Sequence, residues 1–117
     1  MVVRTLTQDQ VDEMFHALAD ATRRDIVSRV LHSECSVSAL AARYDMSFAA
    51  VQKHVAVLER ARIVTKKRNG REQLVQANID AVRDAARVLD QFEELWRGRI
   101  VRMGDLLAQP KGKGKKQ

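Results

Sequence analysis

Seven basic side chains, Lys53, Arg60, Arg62, Lys66, Lys67, Arg68 and Arg71, fall within residues 47–72 beside only two acidic ones, Glu59 and Glu72. Ammonium and guanidinium groups gathered in this way bind phosphates and base edges, which is the chemistry of polyanion recognition. The net charge of +6 is concentrated there and at one end. Residues 1–46 hold five Lys/Arg against seven Asp/Glu, residues 73–107 hold five against six, and the last ten residues add four lysines. Bond-making chemistry has no comparable cluster. Cys35 and the three histidines, His16, His32 and His54, form no nucleophile and base arrangement, and no Gly-rich phosphate loop accompanies them. No catalytic residue is assigned and no enzyme is expected. His32-x-x-Cys35 with Glu34 is the one leftover set with ligand chemistry. Its ligand types would suit metal binding or oxidation sensing, but with so few ligands the favoured reading is an exposed loop histidine beside an incidental cysteine, with no metal and no cofactor assigned.

The chain that must position the basic cluster has 117 residues, 13.3 kDa and 45% apolar content, enough for one domain with a real core. Its apolar runs, such as Val55-Ala56-Val57-Leu58, are far shorter than the roughly 18 residues of a spanning helix. Met1-Val2-Val3-Arg4-Thr5 has no secretory pattern, and a single cysteine allows no internal disulfide. A cytoplasmic protein without membrane partners is the expectation.

Five helix starts are legible. Thr7-Gln8-Asp9-Gln10 is a capping box, with Leu6 and Val11 placed to close a hydrophobic staple around it. Val11, Met14, Phe15 and Leu18 repeat at helical spacing and take the first helix to about Ala19. Asp20 caps a second helix whose apolar face is Ile26, Val27, Val30 and Leu31, ending near His32 to Glu34. Ser36 caps a third through Val37, Leu40 and Ala41 to about Tyr44. After the break at Asp45-Met46, Ser47 caps a fourth, in which Val51, Val55, Leu58 and Arg62 fall on one line. Two helices joined by so short a turn are a helix-turn-helix. The outward face of the second, with Ala49, Lys53, Ala56 and Arg60, is small and basic enough to enter a major groove.

Beyond it the period changes to that of strands. Ile63 to Lys67 and Glu72 to Gln76 flank Asn69-Gly70, the pair favoured in a two-residue type I′ hairpin, and this register sets Lys67 opposite Glu72 and Val64 opposite Val75. The tip is then ringed by Lys66, Lys67, Arg68 and Arg71. A basic hairpin directly after a recognition-type helix is a wing, placed to touch phosphate or minor groove. The expected DNA contacts are therefore Ser47, Ala49, Gln52 and Lys53 in the major groove, with Lys66, Lys67, Arg68 and Arg71 on the wing. His54, by its helical phase, is read as structural.

The words Phe15-His16-Ala17-Leu18-Ala19-Asp20-Ala21-Thr22-Arg23-Arg24-Asp25-Ile26, Ser36-Val37-Ser38-Ala39-Leu40-Ala41, Met46 to Leu58 and Asn69-Gly70-Arg71-Glu72 together resemble the ArsR-type winged-helix transcriptional regulators, over about residues 11–100. Ala21, Phe48 and Gln52 depart from the family's usual proline, glutamine and serine. The resemblance implies a mainly α fold of five helices with a small β-hairpin between the fourth and fifth. It also implies a homodimer formed through the first and last helices. The family's metal motifs, Cys-x-Cys-Asp in the third helix and the Asp/His pairs of the last, are absent. Ser36-Val37-Ser38-Ala39 occupies the first, and Ile79 to Leu107 contains no histidine or cysteine.

The last helix runs from an Asn78 cap with Ile79, Val82, Ala86, Leu89, Phe92, Trp96, Ile100, Met103 and Leu107 at steps of three and four. Its early part, to Leu89, is expected to pack on the chain's own helices. Its aromatic later part is expected to meet a second copy. The dimer interface is thus read as Val11, Phe15, Leu89, Phe92, Trp96, Ile100 and Met103. Residues 1–109 form the winged helix-turn-helix and dimerisation domain in this reading, and 110–117 a disordered basic tail. The function that follows is a sequence-specific transcriptional repressor, acting on its own gene among others, as a homodimer on palindromic double-stranded DNA. The lysine tail equally suits the alternative, a non-sequence-specific nucleic-acid-binding or nucleoid-type protein.

Overall fold

The computed structural model describes residues 6–108, so the basic tail read at 110–117 lies outside the described residues. The order of elements is α1 (Gln8–Leu18), α2 (Ala21–His32), β1 (Cys35–Ser36), α3 (Val37–Ala41), α4 (Phe48–Arg60), β2 (Val64–Asn69), β3 (Glu72–Ala77) and α5 (Ile79–Ala108). The chain divides into two compact units, Met1–Ala85 and Ala86–Gln117.

Each helix of the first unit begins at the cap its sequence announces. Thr7 N–H donates to Gln10 Oε1 at 2.9 Å and Gln10 N–H returns to Thr7 Oγ1 at 3.1 Å, completing the capping box. Asp20 Oδ2 accepts from Arg23 N–H, Ser36 Oγ from Ala39 N–H and Ser47 Oγ from Ala50 N–H, all at 3.0–3.1 Å. Asn78 Oδ1 accepts from Ala81 N–H at the start of α5. α3 is shorter than the sequence implies, because after Ala41 the chain tightens. Arg43 N–H bonds the Leu40 carbonyl and Tyr44 N–H the Ala41 carbonyl, three residues back instead of four.

The hairpin belongs to a three-stranded antiparallel sheet, ordered β1-β3-β2. The two-residue strand β1, unforeseen in the sequence, pairs Cys35 with Val75 and Ser36 with Leu74. The register also differs from expectation, since Asn69 stays in the ladder opposite Glu72, Lys67 faces Leu74 and Val64 faces Ala77. The loop is Gly70-Arg71, in which Gly70 alone has positive φ, at +66°. That is the type II′ pattern, which wants glycine at its first position. Every pairing has moved by two residues, so no side chain changes face, and Val64 and Val75 are both fully buried.

The core unites Ile26 of α2, Leu40 of α3, Val51, Val55 and Leu58 of α4, Ile63, Val64 and Val75. Arg62 does not continue the line of α4, because the helix stops at Arg60 and Arg62 turns left-handed, with φ +65°. Arg62 N–H bonds the Glu59 carbonyl at 2.9 Å and Ile63 N–H the Leu58 carbonyl at 3.0 Å, a Schellman motif sealed by the buried pair Leu58 and Ile63. Leu31, assigned to the buried face of α2, is exposed. Early α5 packs on the core through Val82, as expected, and also through a second face that was not expected. Ala81 and Ala85 are buried against Met14, with Leu6 beside them, whereas Ile79 is exposed. Small residues let this turn approach closely, which the larger side chains of the expected stripe would not.

The second unit, among the described residues, is the remainder of α5. Leu89, Phe92, Trp96, Ile100, Met103 and Leu107 follow one another at helical steps and all are exposed, with Leu95 and Leu106 on one flank. Glu93 and Arg97 form an i,i+4 ion pair, and the Arg99 guanidinium lies 5.9 Å from the centre of the Trp96 ring. Among the described residues no helix is long and apolar enough to cross a membrane.

Directed bonds hold the connection between α3 and α4. Tyr44 O–H donates to Asp25 Oδ2 at 2.6 Å, Arg29 Nε donates to the same oxygen at 2.8 Å, and the Arg29 guanidinium stands 5.7 Å from the Tyr44 ring centre. The Tyr44 hydroxyl, and next the Arg29 guanidinium, hold the Asp25 carboxyl below the usual carboxylate range. A carboxyl depressed in the folded state favours folding above its unfolded pKa of about 4 and loses that contribution as pH falls through the folded value. Tyr44→Phe is therefore expected to lower the melting temperature at pH 7 and to lower it less at pH 3. An equal deficit at both pH values would exclude the carboxylate from the effect. Arg62→Gly, which relieves a left-handed non-glycine residue, is expected to stabilise the protein by about 1 kcal/mol net of the flexibility glycine adds, or roughly 5 °C in melting temperature. Urea and thermal unfolding measure it, and an unchanged or lowered stability would show that no strain is held there.

Candidate nucleic-acid interface

The candidate interface is assembled on α4, whose two sides have opposite characters. Val51, Val55 and Leu58 are buried in the core, while Ser47, Ala49, Gln52, Lys53, Ala56 and Arg60 are exposed. The Ser47 hydroxyl is committed to its cap, which leaves the first turn of the helix, with its free backbone donors, facing outward. Among the described residues, no hydrogen bond or ion pair engages the side chain of Gln52 or Lys53. Both are free to reach a ligand.

The wing stands beside this face, and Lys66, Lys67, Arg68 and Arg71 are all exposed on it. Lys66 Nζ lies 3.4 Å from Glu59 Oε1, an ion pair that ties the base of the wing to α4. Arg68 Nε donates to the Gly70 carbonyl at 3.1 Å and is thereby folded over the turn. Lys67, expected opposite Glu72, faces Leu74 instead, so its charge is not matched across the ladder. A cleft of about 240 Å³ separates helix and wing, lined by Val37, Ser38, Phe48, Gln52, Val55, Lys66 and Arg71 among others. Of the expected helix residues the structure brings Gln52 to one side of this cleft, with Lys66 and Arg71 of the wing on the other, while Ser47, Ala49 and Lys53 are exposed outside it. Phe48 was noted in the sequence only as a departure from the family pattern. It is 47% exposed at the first position of α4, and its unusual type at that position was the signal available.

Arg23 fixes the back of α4. Its Nε donates to the Ala17 carbonyl at 2.7 Å, one Nη to the His16 carbonyl at 3.1 Å, and the other Nη lies 3.3 Å from His54 Nδ1. With Arg23 donating, that ring nitrogen accepts, which assigns the hydrogen of a neutral imidazole to Nε2. Asp20 Oδ2 is 3.9 Å from the same nitrogen, and the backbone N–H of Arg23 is the main reason the Asp20 carboxyl sits below its usual range. His54 is half-buried in this cluster, in keeping with a structural role.

Cys35 and His32 do not meet a third ligand. Among the described residues no group of three His, Cys, Asp or Glu side chains is close enough to hold a metal ion. Cys35 Sγ instead contacts the Ser33 carbonyl, and His32 Nδ1 the Ser28 carbonyl. Arg29 and Arg43 line the same cleft as Cys35, together with Asp25, to which Arg29 is ion-paired.

Comparison with known proteins agrees with this arrangement. Residues 20–66 match the model of the bacterial regulatory protein, arsR family, a span that runs from the α2 cap to the first residues of the wing. The HTH-type transcriptional regulator Rv2034 of Mycobacterium tuberculosis is 36% identical over 81 residues, covering 69% of this chain and 76% of that protein. An ArsR-like transcriptional regulator from Rhodococcus sp. RHA1 superposes with a TM-score of 0.73 at 28% identity, over 84% of this chain and 92% of that one. The homodimeric winged helix-turn-helix DNA-binding domain Mb0332 of Mycobacterium bovis shares the fold, with a TM-score of 0.62 at 24% identity, over 80% and 92% of the two chains. With its helix-turn-helix, its basic wing and these relatives, the chain belongs to the ArsR family of winged helix-turn-helix transcriptional regulators, which are DNA-binding proteins and not enzymes.

Proposed function

We propose that this regulator is a sequence-specific repressor, its own promoter included, that acts in the cytoplasm as a homodimer on a palindromic operator. The observation that carries the reading is an exposed, small and polar outer face on α4 whose Gln52 shares a cleft with Lys66 and Arg71 of the basic wing. In this reading Ser47, Ala49, Gln52 and Lys53 enter the major groove, where glutamine and lysine can hydrogen-bond base edges. Lys66, Lys67, Arg68 and Arg71 meet phosphate or the adjoining minor groove, fixing register without reading sequence. Residues 1–109 supply both DNA binding and dimerisation, and the lysines after Pro110 add non-specific attraction to the duplex.

The exposed stripe Leu89, Phe92, Trp96, Ile100 and Met103 supports the dimer, because so much contiguous apolar surface is seldom left in water. Val11 and Phe15 of α1 contribute from each copy. The homodimeric state of the Mycobacterium bovis domain is in line with this reading. Neither of the family's two metal motifs is present in the sequence, so we do not route the regulatory signal through them.

Two measurements test the proposal. Lys53→Ala is expected to lose about 1–3 kcal/mol of binding at a few base pairs only, whereas Arg68→Ala weakens all sequences alike and lowers the salt slope by about one. Uniform loss for both, with steep salt dependence and no preferred site, would instead establish a sequence-blind nucleoid-type protein. Trp96→Glu places a charge in the middle of the stripe. It is expected to convert a dimer at low micromolar concentration to a monomer with weakened operator binding, as read by light scattering; a wild-type monomer that binds DNA tightly would refute the dimer.

A further inference from the structure

We propose that Phe48 is a specificity-determining residue that reads the 5-methyl group of a thymine in the major groove. The inference rests on the reading of α4 as the groove-entering helix. Phe48 directly follows the Ser47 cap, and the N-terminal residues of a recognition helix are the ones that meet base edges. By helical phase it lies between the buried line of Val51 and Val55 and the outward line of Ala49 and Lys53. Accordingly it is 47% exposed, and it lines the cleft that Val37 and Val55 also line.

A large aromatic ring in that position has no polar atom with which to bind phosphate or a base edge. Thymine's methyl group is the apolar feature that a base pair presents in the major groove, and phenylalanine is among the side chains suited to it. The ring's few rotamers and its partial burial mean that little freedom is lost on contact. Gln52 follows one turn later, about 6 Å along the axis, and its amide can pair with an adenine through N6 and N7. The structure therefore points to a half-site in which a thymine read by Phe48 lies within about two base pairs of the base read by Gln52.

The test begins with selection of binding sites from random duplex DNA by the full-length wild-type protein. Each thymine of the selected half-site is then replaced by deoxyuridine, which keeps the base pair and removes only the methyl group. At one thymine the wild type is expected to bind about fourfold more weakly, the worth of roughly one buried methyl group. Phe48→Ala should bind the thymine site about fourfold more weakly and be indifferent to the same replacement, and Phe48→Leu should retain part of the sensitivity. Lys53→Ala, weaker overall, should keep the full deoxyuridine penalty, which separates loss of methyl reading from general damage. Circular dichroism checks that each variant is folded. If no thymine is sensitive in the wild type, or if Phe48→Ala still suffers the penalty, Phe48 is not the methyl reader. If the wild type selects no site at all, the repressor reading itself fails and this inference fails with it.

Discussion

The Arg23 guanidinium joins three helices by directed bonds, and the aim of α4 depends on it. It donates to the Ala17 carbonyl and to the His16 carbonyl, which also accepts Ala19 N–H, at the end of α1, and it reaches His54 on α4. Arg24 binds a third, that of Leu18, at 2.7 Å. Positive charge at the carboxyl end of a helix also complements the helix dipole. Apolar burial of Val51, Val55 and Leu58 fixes which side of α4 faces the core. A forked, planar group with fixed donor directions adds bonds to both carbonyls and the imidazole that lysine, a single point charge, would not match.

The hydrophobic side of α4 and the polar side are consequences of the same thirteen residues, and the fold works because the two requirements never compete for a position. Val51, Val55 and Leu58 bury completely, so the outer side needs no large side chain for stability. Ala49 and Ala56 can then stay small enough for close approach to a groove. The wing follows the same division. Val64 and Val75 anchor its base in the core, and the charges gather toward the tip, with one of them, Lys66, held against Glu59. An exposed ion pair of this kind contributes little to stability, and the wing is held chiefly by its ladder and by the buried Val64 and Val75.

What was legible in the sequence was whatever depends on neighbours along the chain. Thr7, Asp20, Ser36, Ser47 and Asn78 each cap the helix they precede, since a capping oxygen reaches only two or three residues. The inner line of α4 was legible for the same reason. The misreadings were decided by distant partners. Cys35 and Ser36 are a strand only because β3 arrives beside them, and two residues carry no period of their own. Asn69-Gly70 favours a turn centred on both, yet the turn moved by one position, which buries Val64 and Val75 together without placing them opposite each other. In early α5, Val82 packs on the core as its spacing implies, but close packing on Met14 buries Ala81 and Ala85 while Ile79 stays exposed. For the DNA face, residue type and exposure followed from helical phase, but the cleft with its wing wall needed the tertiary structure.

Asn78 has a mechanical role beyond its cap. Its side-chain N–H donates to the Arg62 carbonyl at 2.8 Å and its backbone N–H to the Ile63 carbonyl at 2.9 Å, while its Oδ1 starts α5. The end of α4, the root of β2 and the first turn of α5 are therefore pinned at one point, where Arg62 has already reversed the chain. Such a point behaves as a pivot: a tilt of the first turn of α5 must either carry the root of the wing and the tail of α4 with it or break both bonds to the Arg62-Ile63 carbonyls. The tail of α4 and the root of the wing are thereby coupled to the attitude of that first turn.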